Sequence, residues 1–518
     1  MGAVIGQQII CAGELYPRPA FLADNRLPGA KDRTIRCSAS FTIGHMIVVI
    51  SDLHFEEEAS DKIPGRDGHP DLVFRRNLDP RAYRSFIAQM AEEVERRKAS
   101  DFDLVIAGDL FDFSRTVLWF NDELRPYVSL EEVSPELEAK ILNILDAIAA
   151  EPRVKEALET FRLLAKGKYT VWPEERNKKE ERDFPAKRVR LHYLSGNHDR
   201  LSNASPKVRE RVRALLGLKG DGSFPHIFQA DDPAVLIRHG HEYDRNNFAL
   251  DPEKFETIPL EVAEEGYSQA NFGDFITIDI ATRLPYLFRQ KYSDQKILED
   301  KVLSSLYMRL LQFDDVRPQS ALLDYLLDTS DGNYSAEEAW EKLVPVLEQL
   351  LDQVHDDPFF RHWLAKRAKP WASAELESAR GLLKLGGWRN RVARESARKL
   401  THFFMGGETA GPEIFAQREQ VVQEGKVRLV LAGHTHSPQV SLVASDPRAD
   451  RFYINTGTWR DSIPSTPDRR TFGRLKTLTY VMLFSSAEER DNIKYGSFDY
   501  WSGYTKDWSR ENPEDNEK

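Results

Sequence analysis

Residues 47–54 read IVVISDLH, an apolar and β-branched run that ends in the polar side chains of Asp52 and His54. Runs of about four to six such residues are typical of buried strands. The same pattern recurs along the chain, each time with a polar cluster directly after the apolar run. The other runs are Asp103–Ala107 before GDLFD, Val189–Leu194 before SGNHD, Ala234–Ile237 before RHGH and Arg428–Ala432 before GHTH. Because open α/β sheets carry their sites at the carboxyl ends of strands, these clusters are the candidate functional residues.

Helical patterns separate the strands. Residues 80–98 place apolar side chains at spacings of three and four, which is typical of a helix that packs on a sheet. Residues 134–149 and 153–166 have a similar pattern. The alternation of strands and helices predicts a protein of the α/β class.

The composition is that of a globular protein, because 41% of the 518 residues are hydrophobic and 30% are charged. This length exceeds one ordinary core, so we expect either a large domain with a sizeable insertion or two domains. The net charge of −11 argues weakly against a general nucleic-acid binder, although a local basic patch remains compatible with it. No stretch approaches the roughly 18 apolar residues of a transmembrane helix, so we predict a cytoplasmic protein without an integral membrane segment.

The two cysteines, Cys11 and Cys37, both precede Met46, so the main body of the chain contains no thiol. A disulfide framework and thiolate metal ligands are therefore excluded there. Residues 1–45 are predicted to be an N-terminal extension. Two interpretations of this extension carry equal weight: a poorly ordered segment before a natural start at Met46, and a small packed segment.

The sequence pattern changes between the fourth and fifth polar clusters. Residues 245–425 contain no strong strand sequence, but they contain amphipathic helical stripes and a capping box. We interpret this segment as a helical insertion that forms a cap. The core then consists of residues 46–244 and 426–500, and residues 501–518 are predicted to be a disordered polar tail.

Five short motifs bear the side chains that can carry chemistry. Their imidazole, carboxylate and amide groups suit divalent ions such as Mn²⁺, Fe²⁺, Zn²⁺ or Co²⁺ better than Ca²⁺. In Asp-x-His and His-x-His at a strand end, alternate side chains point the same way and can face one metal. The motifs are Asp52-Leu53-His54, Gly108-Asp109-Leu110-Phe111-Asp112, Gly196-Asn197-His198-Asp199, His239-Gly240-His241 and Gly433-His434-Thr435-His436.

In this order, the motifs resemble those of the calcineurin-like metallophosphoesterase superfamily: DxH, GDxxD, GNH(D/E), H and GHxH. The resemblance covers residues 46–244 and 426–485, and no motif carries a substitution. It implies a four-layer αββα metallophosphoesterase sandwich and the activity of a metal-dependent phosphoric ester hydrolase. One isolated motif would be weak evidence, whereas five in order, each after a strand, are strong evidence.

The resemblance also implies a dinuclear metal site. Two cations about 3.5–4 Å apart hold the phosphoryl oxygens and a bridging hydroxide, which attacks phosphorus in line. Mn²⁺ is the first expectation, with Fe, Zn, Co and Ni as alternatives. By motif position, the first metal is held by Asp52, His54 and His436, the second by Asn197, His239 and His434, and both by Asp109.

Other motif residues are expected to assist. The resemblance implies that His198 stabilises developing charge or protonates the leaving oxygen, and that Asp199 orients His198. In related sequences the first histidine of the fourth motif is the ligand. His239 is therefore chosen, and His241 is either a substrate-side group or an ordinary hydrogen-bonding histidine. Asp112 is expected to bond to the backbone at its turn rather than to a metal.

Two segments resemble the bacterial branch that includes UDP-2,3-diacylglucosamine pyrophosphatases: residues 453–459 (YINTGTW) and residues 238–244 (RHGHEYD). That branch carries a substrate cap at the position of the insertion. The insertion here spans about 180 residues and is much longer. In addition, His198 stands where some of those enzymes carry Arg. Substrate identity therefore does not transfer from that branch.

The insertion contains a basic stretch in which Arg391, Arg394 and Arg398 share one helix face. This stretch has two interpretations. It is either a lid whose arginines bind phosphate oxygens, or a solvated helix face paired with the many carboxylates of the chain. The solvated face is favoured by about two to one.

Three functions are compatible with the sequence. The first is hydrolysis of a small phosphodiester, pyrophosphate or phosphomonoester, with nucleotide-linked compounds among the candidate substrates. The second is a nuclease acting on DNA or RNA, which the acidic net charge disfavours. The third is a partner-binding scaffold with a vestigial metal site, which the intact motifs disfavour. The sequence leaves the oligomeric state open.

Overall fold

Short strands alternate with helices along the chain. The structure is a computed structural model, and it describes residues 34–37, 44–171, 179–312, 315–329, 332–367, 411–447, 449–485, 489–490, 493–494 and 497–505. The strands are β1 (Thr34–Cys37), β2 (His45–Ile50), β3 (Asp101–Ala107), β4 (Lys168–Val171), β5 (Glu180–Asp183), β6 (Arg188–Leu194), β7 (Ile227–Asp231), β8 (Ala234–Arg238), β9 (Val316–Arg317), β10 (Leu429–Ala432), β11 (Gln439–Asp446), β12 (Ala449–Asn455), β13 (Asp461–Pro464), β14 (Leu475–Phe484), β15 (Glu489–Arg490), β16 (Ile493–Lys494) and β17 (Ser497–Thr505). All five apolar runs that precede the motifs form strands, as predicted.

The α-helices are α1 (Pro80–Arg97), α2 (Pro135–Ala150), α3 (Pro152–Ala165), α4 (Pro206–Leu216), α5 (Glu265–Ser268), α6 (Phe272–Phe275), α7 (Arg283–Tyr292), α8 (Asp294–Glu299), α9 (Lys301–Leu311), α10 (Leu322–Leu326), α11 (Ala336–Asp356), α12 (Pro358–Arg367), α13 (Pro412–Gln417) and α14 (Gln420–Gln423). A π-helix spans Ile276–Thr282, and 3₁₀ helices span Val117–Asn121, Leu130–Glu132, Arg200–Asn203, His241–Tyr243, Pro252–Lys254 and Gln319–Ala321.

Helix α1 illustrates how local sequence sets the bounds of an element. The Asp79 side chain caps its first turn by accepting a hydrogen bond from the Arg81 N–H, and Pro80 occupies the first helical position. Apolar side chains at the predicted spacings, including Met90, are buried against the sheet. The helix ends where Lys98 adopts a left-handed conformation.

Two large sheets form the centre of the molecule. The first has the order β6-β3-β2-β14-β13-β9, with β17 also paired to β14, and the second has the order β1-β7-β8-β10-β12-β11. Strands β2, β3 and β6 are parallel neighbours, and so are β8, β10 and β12. The carboxyl ends of each parallel set therefore lie at one edge of its sheet. All five motifs follow strands of these two sets.

The two sheets pack face to face through alternate side chains. The core between them includes Val49 and Val105 from the first sheet and Ile237 and Leu431 from the second. Helices α1 to α4 cover the outer face of the first sheet, and α13 and α14 cover the outer face of the second. This arrangement confirms the expected four-layer αββα sandwich.

Helices of the segment 245–425 build a second apolar core. Helices α7, α9 and α11 contribute Phe288, Leu306 and Trp340 to it. Strand β9 lies in the same segment but pairs in parallel with β13, so that Val316 lies beside Ile463. The sequence carries no strong signal for this strand, because two residues of edge pairing need no apolar run. The first sheet therefore gains one strand from the segment predicted as an insertion.

Strand pairing continues beyond the predicted ends of the core. Strand β1 pairs with β7, although it lies within the predicted extension 1–45. Strand β17 pairs with β14 as far as Thr505, so the prediction of disorder is wrong for residues 501–505. The pairing partner explains the error, because polar residues are ordered when a neighbouring strand satisfies their backbone. The basic stretch around Arg391 lies outside the described residues.

Of the helices that the structure describes, none combines the length and apolar character needed to cross a membrane.

A buried charged cluster lies at the end of the first sheet that is remote from the motifs. Asp103 Oδ2 lies 2.5 Å from His45 Nε2, and Asp103 Oδ1 lies 2.8 Å from His192 Nε2. Arg190 donates to both carboxylate oxygens, at 2.5 and 2.7 Å. Burial would raise the pKa of Asp103, but hydrogen bonds to these three partners outweigh it and hold the pKa well below its usual range.

We expect Asp103→Asn to destabilise the protein by about 3 kcal/mol, because it leaves buried partners without their counter-charge. A depressed folded-state pKa stabilises the protein above the unfolded pKa of about 3.9, so the difference between variant and wild type should shrink only below that pH. Urea unfolding followed by circular dichroism between pH 7 and pH 3 measures this difference. Asp71→Asn is the matched control, because Asp71 forms an exposed ion pair with Lys62. Equal midpoints for the two variants would contradict the assignment.

Candidate metal centre

The backbone at the strand ends has an unusual conformation. Five non-glycine residues of the motifs have positive φ angles, between 44° and 69°. This left-handed region is uncommon for residues with a Cβ, and each such residue costs on the order of 1 kcal/mol. Backbone strain of this kind is concentrated at functional sites, where the surrounding structure fixes it. The residues are Asp52, His54, Asp109, His434 and His436.

Two motif glycines permit close approach of the functional side chains. Gly108 has a φ of 87°, and a Cβ at this position would lie 2.5 Å from His239 Nδ1. A Cβ at Gly433 would lie 2.2 Å from Asp52 Oδ2. Any side chain at either position would therefore displace a candidate ligand.

The first group of candidate ligands consists of Asp52, His54 and His436, whose ligand atoms all lie within 4.8 Å of one another. His436 Nε2 lies 3.0 Å from His54 Nε2 and 3.3 Å from Asp52 Oδ1. Burial lowers the pKa of His436 to about 3, so its imidazole is neutral. The neutral form is the one that binds metal ions.

The second group consists of Asp109, His239 and His434, again with ligand atoms within 4.8 Å of one another. His239 Nε2 lies 3.0 Å from Asp109 Oδ2, and the His239 Nδ1 lies 2.8 Å from the carbonyl oxygen of Ala107. Asn197 Oδ1 joins this group, at 3.1 Å from His239 Nε2 and 3.0 Å from His434 Nδ1. The structure thus brings all seven predicted ligands together.

Asp109 lies where the two groups meet, because one of its carboxylate oxygens also lies within 4.8 Å of ligand atoms of His54 and His198. Its Oδ1 accepts a hydrogen bond of 2.9 Å from the His198 N–H. Its Oδ2 is buried and lies 3.0 Å from His239 Nε2 and 3.7 Å from His54 Nε2. Burial raises the pKa of Asp109, but the nearby His239 and His198 lower it by more. The net pKa is below its usual range, so the carboxylate is ionised. A buried carboxylate among imidazoles that can bind through a neutral ring nitrogen is a donor set for a divalent cation, so the residues present fit a bound metal ion.

Asp112, not Asp199, orients His198. Asp112 Oδ1 lies 3.1 Å from His198 Nδ1, and Asp112 Oδ2 lies 3.0 Å from His54 Nδ1. The Asp199 carboxylate instead accepts the N–H groups of Gly196 at 2.5 Å and Leu110 at 2.8 Å. The predicted role of Asp199 is therefore wrong, because its carboxylate faces the backbone of the two motif turns.

Asp112 also bonds to the backbone at its own turn, as predicted. Its Oδ1 accepts the N–H groups of Ser114 and Arg115, both at 3.1 Å. These bonds fix the carboxylate between two imidazoles, and it holds the orientation of both rings.

His241 lies beside the site but not in either group of ligands. Its ring centre is 5.3 Å from that of His239, and it packs against the rings of Phe248 and Tyr267. Burial lowers the pKa of His241 to about 3, so it is a neutral, buried histidine. The geometry favours His239 over His241 as the ligand from the fourth motif.

Residues 455–459 (NTGTW) form hydrogen bonds to the backbone of two motifs. Asn455 Nδ2 donates to the carbonyl oxygen of Gly433 at 2.6 Å, and Thr458 Oγ1 donates to that of Asp52 at 2.8 Å. The indole of Trp459 is buried and donates to the carbonyl oxygen of Thr479 at 2.8 Å. The segment therefore holds the first and fifth motifs together.

Two residues of the predicted insertion contact candidate ligands, and neither was predicted from the sequence. Arg317 Nη2 lies 2.9 Å from His436 Nδ1, and Asn247 Oδ1 lies 3.3 Å from Asn197 Nδ2. Asn247 follows the fourth motif by only a few residues, and this short distance in sequence could have indicated a place near the site. Arg317 gave no signal, because its position depends on the pairing of β9 with β13.

Comparison with known proteins agrees with this geometry. Residues 45–302, about half of the chain, match the family model of the calcineurin-like phosphoesterases. A search of curated proteins found no match. The matched residues contain four of the five motifs, and groups of His and Asp side chains able to hold divalent metal ions lie at the carboxyl ends of the strands. The chain is therefore a member of the calcineurin-like phosphoesterase family and a metal-dependent phosphoric ester hydrolase.

Proposed function

We propose that this chain hydrolyses a small phosphodiester, pyrophosphate or phosphomonoester. Two bound divalent cations would supply an activated water for in-line attack on phosphorus. Mn²⁺ is the proposed ion, because imidazole, carboxylate and amide ligands without thiolate suit it. The proposed ligands are Asp52, His54 and His436 for the first cation, Asn197, His239 and His434 for the second, and Asp109 for both.

The position of Asp109 is the observation that carries this proposal. Its buried Oδ2 lies 3.0 Å from His239 in one group and 3.7 Å from His54 in the other. A carboxylate shared by two groups of ligands is the arrangement that a dinuclear site requires.

His198 is the proposed proton donor to the leaving oxygen. Its side chain is partly exposed at 19%, whereas those of His54 and Asp112 are buried. Asp112 Oδ1 lies 3.1 Å from His198 Nδ1 and so sets the direction of the imidazole ring. A positioned imidazole of this kind contributes about 10²- to 10⁴-fold to a rate.

The insertion is proposed to shape the substrate pocket. Support comes from Asn247 and Arg317, which lie in the segment 245–425 and each contact a candidate ligand. A substrate bound at the metals would therefore meet residues of the insertion. This arrangement suits a small phosphorylated compound, including a nucleotide-linked one, better than a polymer that needs an open groove.

We expect EDTA treatment to abolish hydrolysis and added Mn²⁺ to restore it. The purified protein is assayed with p-nitrophenyl phosphate, bis-(p-nitrophenyl) phosphate and a panel of nucleotides and nucleotide-linked pyrophosphates. Single-stranded and duplex DNA form the comparison arm, and Fe²⁺, Zn²⁺, Co²⁺ and Ni²⁺ are tested beside Mn²⁺. Preferential cleavage of DNA would replace the proposal with a nuclease. No turnover of any ester with any of these ions would refute it.

A further inference from the structure

We propose that Asn247 is a positioning residue that orients two ligands, Asn197 and His434, towards the second cation. This inference rests on the dinuclear site proposed above. Asn247 lies outside the five motifs, and no ligand role is proposed for it. Its side-chain amide contacts Asn197 directly and reaches His434 through Asp244.

The first contact fixes the amide of Asn197. Asn247 Oδ1 accepts a hydrogen bond of 3.3 Å from Asn197 Nδ2. Asn197 Oδ1 is thereby turned towards His239 Nε2 and His434 Nδ1, at 3.1 and 3.0 Å. Because an amide carries its acceptor oxygen and its donor nitrogen on opposite sides, a flipped Asn197 would present N–H groups to the cation. Only the observed orientation offers an oxygen ligand.

The second contact reaches His434 through a carboxylate. Asn247 Nδ2 donates to Asp244 Oδ2 at 2.8 Å, and the same oxygen lies 3.1 Å from His434 Nε2. A carboxylate on one ring nitrogen directs the other nitrogen to the metal and fixes the ring plane. Asn247 therefore holds in place the group that holds His434.

Asn247 is itself held by another part of the insertion, the start of α6. The Asn246 carbonyl oxygen accepts a 2.8 Å hydrogen bond from the Gly273 N–H, and a Cβ on Gly273 would lie 1.8 Å from Asn247 Oδ1. The start of α6 therefore packs directly on the Asn247 amide, and only glycine leaves room for it. Through this contact, the position of the insertion helices is linked to the geometry of the second metal site.

The test compares Asn247→Ala with Asn247→Asp, which retains the acceptor but loses the donor to Asp244. Gly273→Ala displaces Asn247 without changing a residue near the metals, and Asn246→Ala is the matched control. We expect Asn247→Ala and Gly273→Ala to weaken binding of the second Mn²⁺ by about 10- to 100-fold and to leave the first unchanged. Asn247→Asp should also lose affinity, because it places a carboxylate oxygen against Asp244 Oδ2 in place of the N–H donor.

Metal content after equilibration at graded Mn²⁺ concentrations measures both affinities. Electron paramagnetic resonance adds a readout that a purely structural role would not change, because two neighbouring Mn²⁺ ions give an exchange-coupled signal. Activity of Asn247→Ala should recover at high Mn²⁺, as expected for a residue that positions ligands. If wild type binds two ions and Asn247→Ala binds both with unchanged affinity, the positioning role of Asn247 is refuted and the dinuclear proposal stands. If wild type binds fewer than two ions, the dinuclear proposal fails, and the inference fails with it.

Discussion

Asp109→Asn is expected to lower kcat by about 10³-fold, which corresponds to a loss of about 4 kcal/mol of transition-state stabilisation. The substitution keeps the size and shape of the side chain but removes the charge that lies between the two groups of ligands. Its Oδ2 lies 3.0 Å from His239 Nε2, so the same charge also orients one of the candidate ligands. The effect should therefore fall on metal binding and catalysis.

Three measurements separate these effects from misfolding. Steady-state kinetics with bis-(p-nitrophenyl) phosphate gives kcat, elemental analysis gives the number of Mn²⁺ ions per chain, and thermal melting reports the fold. We expect fewer bound ions in the variant, together with a cooperative melting transition without added metal. Asp221→Asn, at an exposed position, is the matched control and should behave as wild type. An Asp109→Asn variant that keeps two ions and normal turnover would contradict the bridging role.

The central sheets could be predicted from the sequence because their signals are local. Four of the five strands that precede a motif contain an uninterrupted apolar run, and the fifth, β6, alternates apolar residues with Arg and His. Each strand is buried in the structure or borders a buried core. Parallel pairing then places the strand ends together without further information. The two-residue β9 and the polar part of β17 could not be predicted this way, because their partner strands rather than their own composition determine them.

The candidate ligands could be predicted for the same reason, but their supporting contacts could not. Asp199 directly follows His198 in sequence, and this adjacency suggested the wrong partner. The actual partner, Asp112, lies 86 residues away and reaches His198 only because β3 and β6 are neighbours in the sheet. Contacts between the ends of different strands require the fold, and short motifs do not contain that information.

The choice between His239 and His241 as the metal ligand also depends on contacts that only the fold creates. Both histidines follow β8, and Gly240 between them turns the chain with a φ of 106°. Spacing alone therefore does not decide which imidazole faces the metals. The Asp109 carboxylate on one side and the rings of Phe248 and Tyr267 on the other separate the two in the structure.

His198→Ala is expected to lower kcat by about 10²- to 10³-fold for substrates with poor leaving groups. An alkoxide leaves only when a proton is supplied to it, and the structure provides a partly exposed imidazole held by Asp112 at the edge of the ligand groups. A p-nitrophenolate group leaves without a proton, so its release should slow far less. The ratio of the two effects separates proton donation from simple binding.

The measurement compares alkyl and p-nitrophenyl esters of the same phosphate type at saturating Mn²⁺. His355→Ala is the control, because His355 is exposed and remote from the motifs in sequence. Asp112→Asn should reproduce part of the leaving-group dependence, since it releases the ring that His198 presents. It should also weaken binding of the first cation, because Asp112 Oδ2 lies 3.0 Å from Nδ1 of the candidate ligand His54. An equal loss for both esters in His198→Ala would mean that His198 binds the phosphoryl group and does not protonate the leaving oxygen.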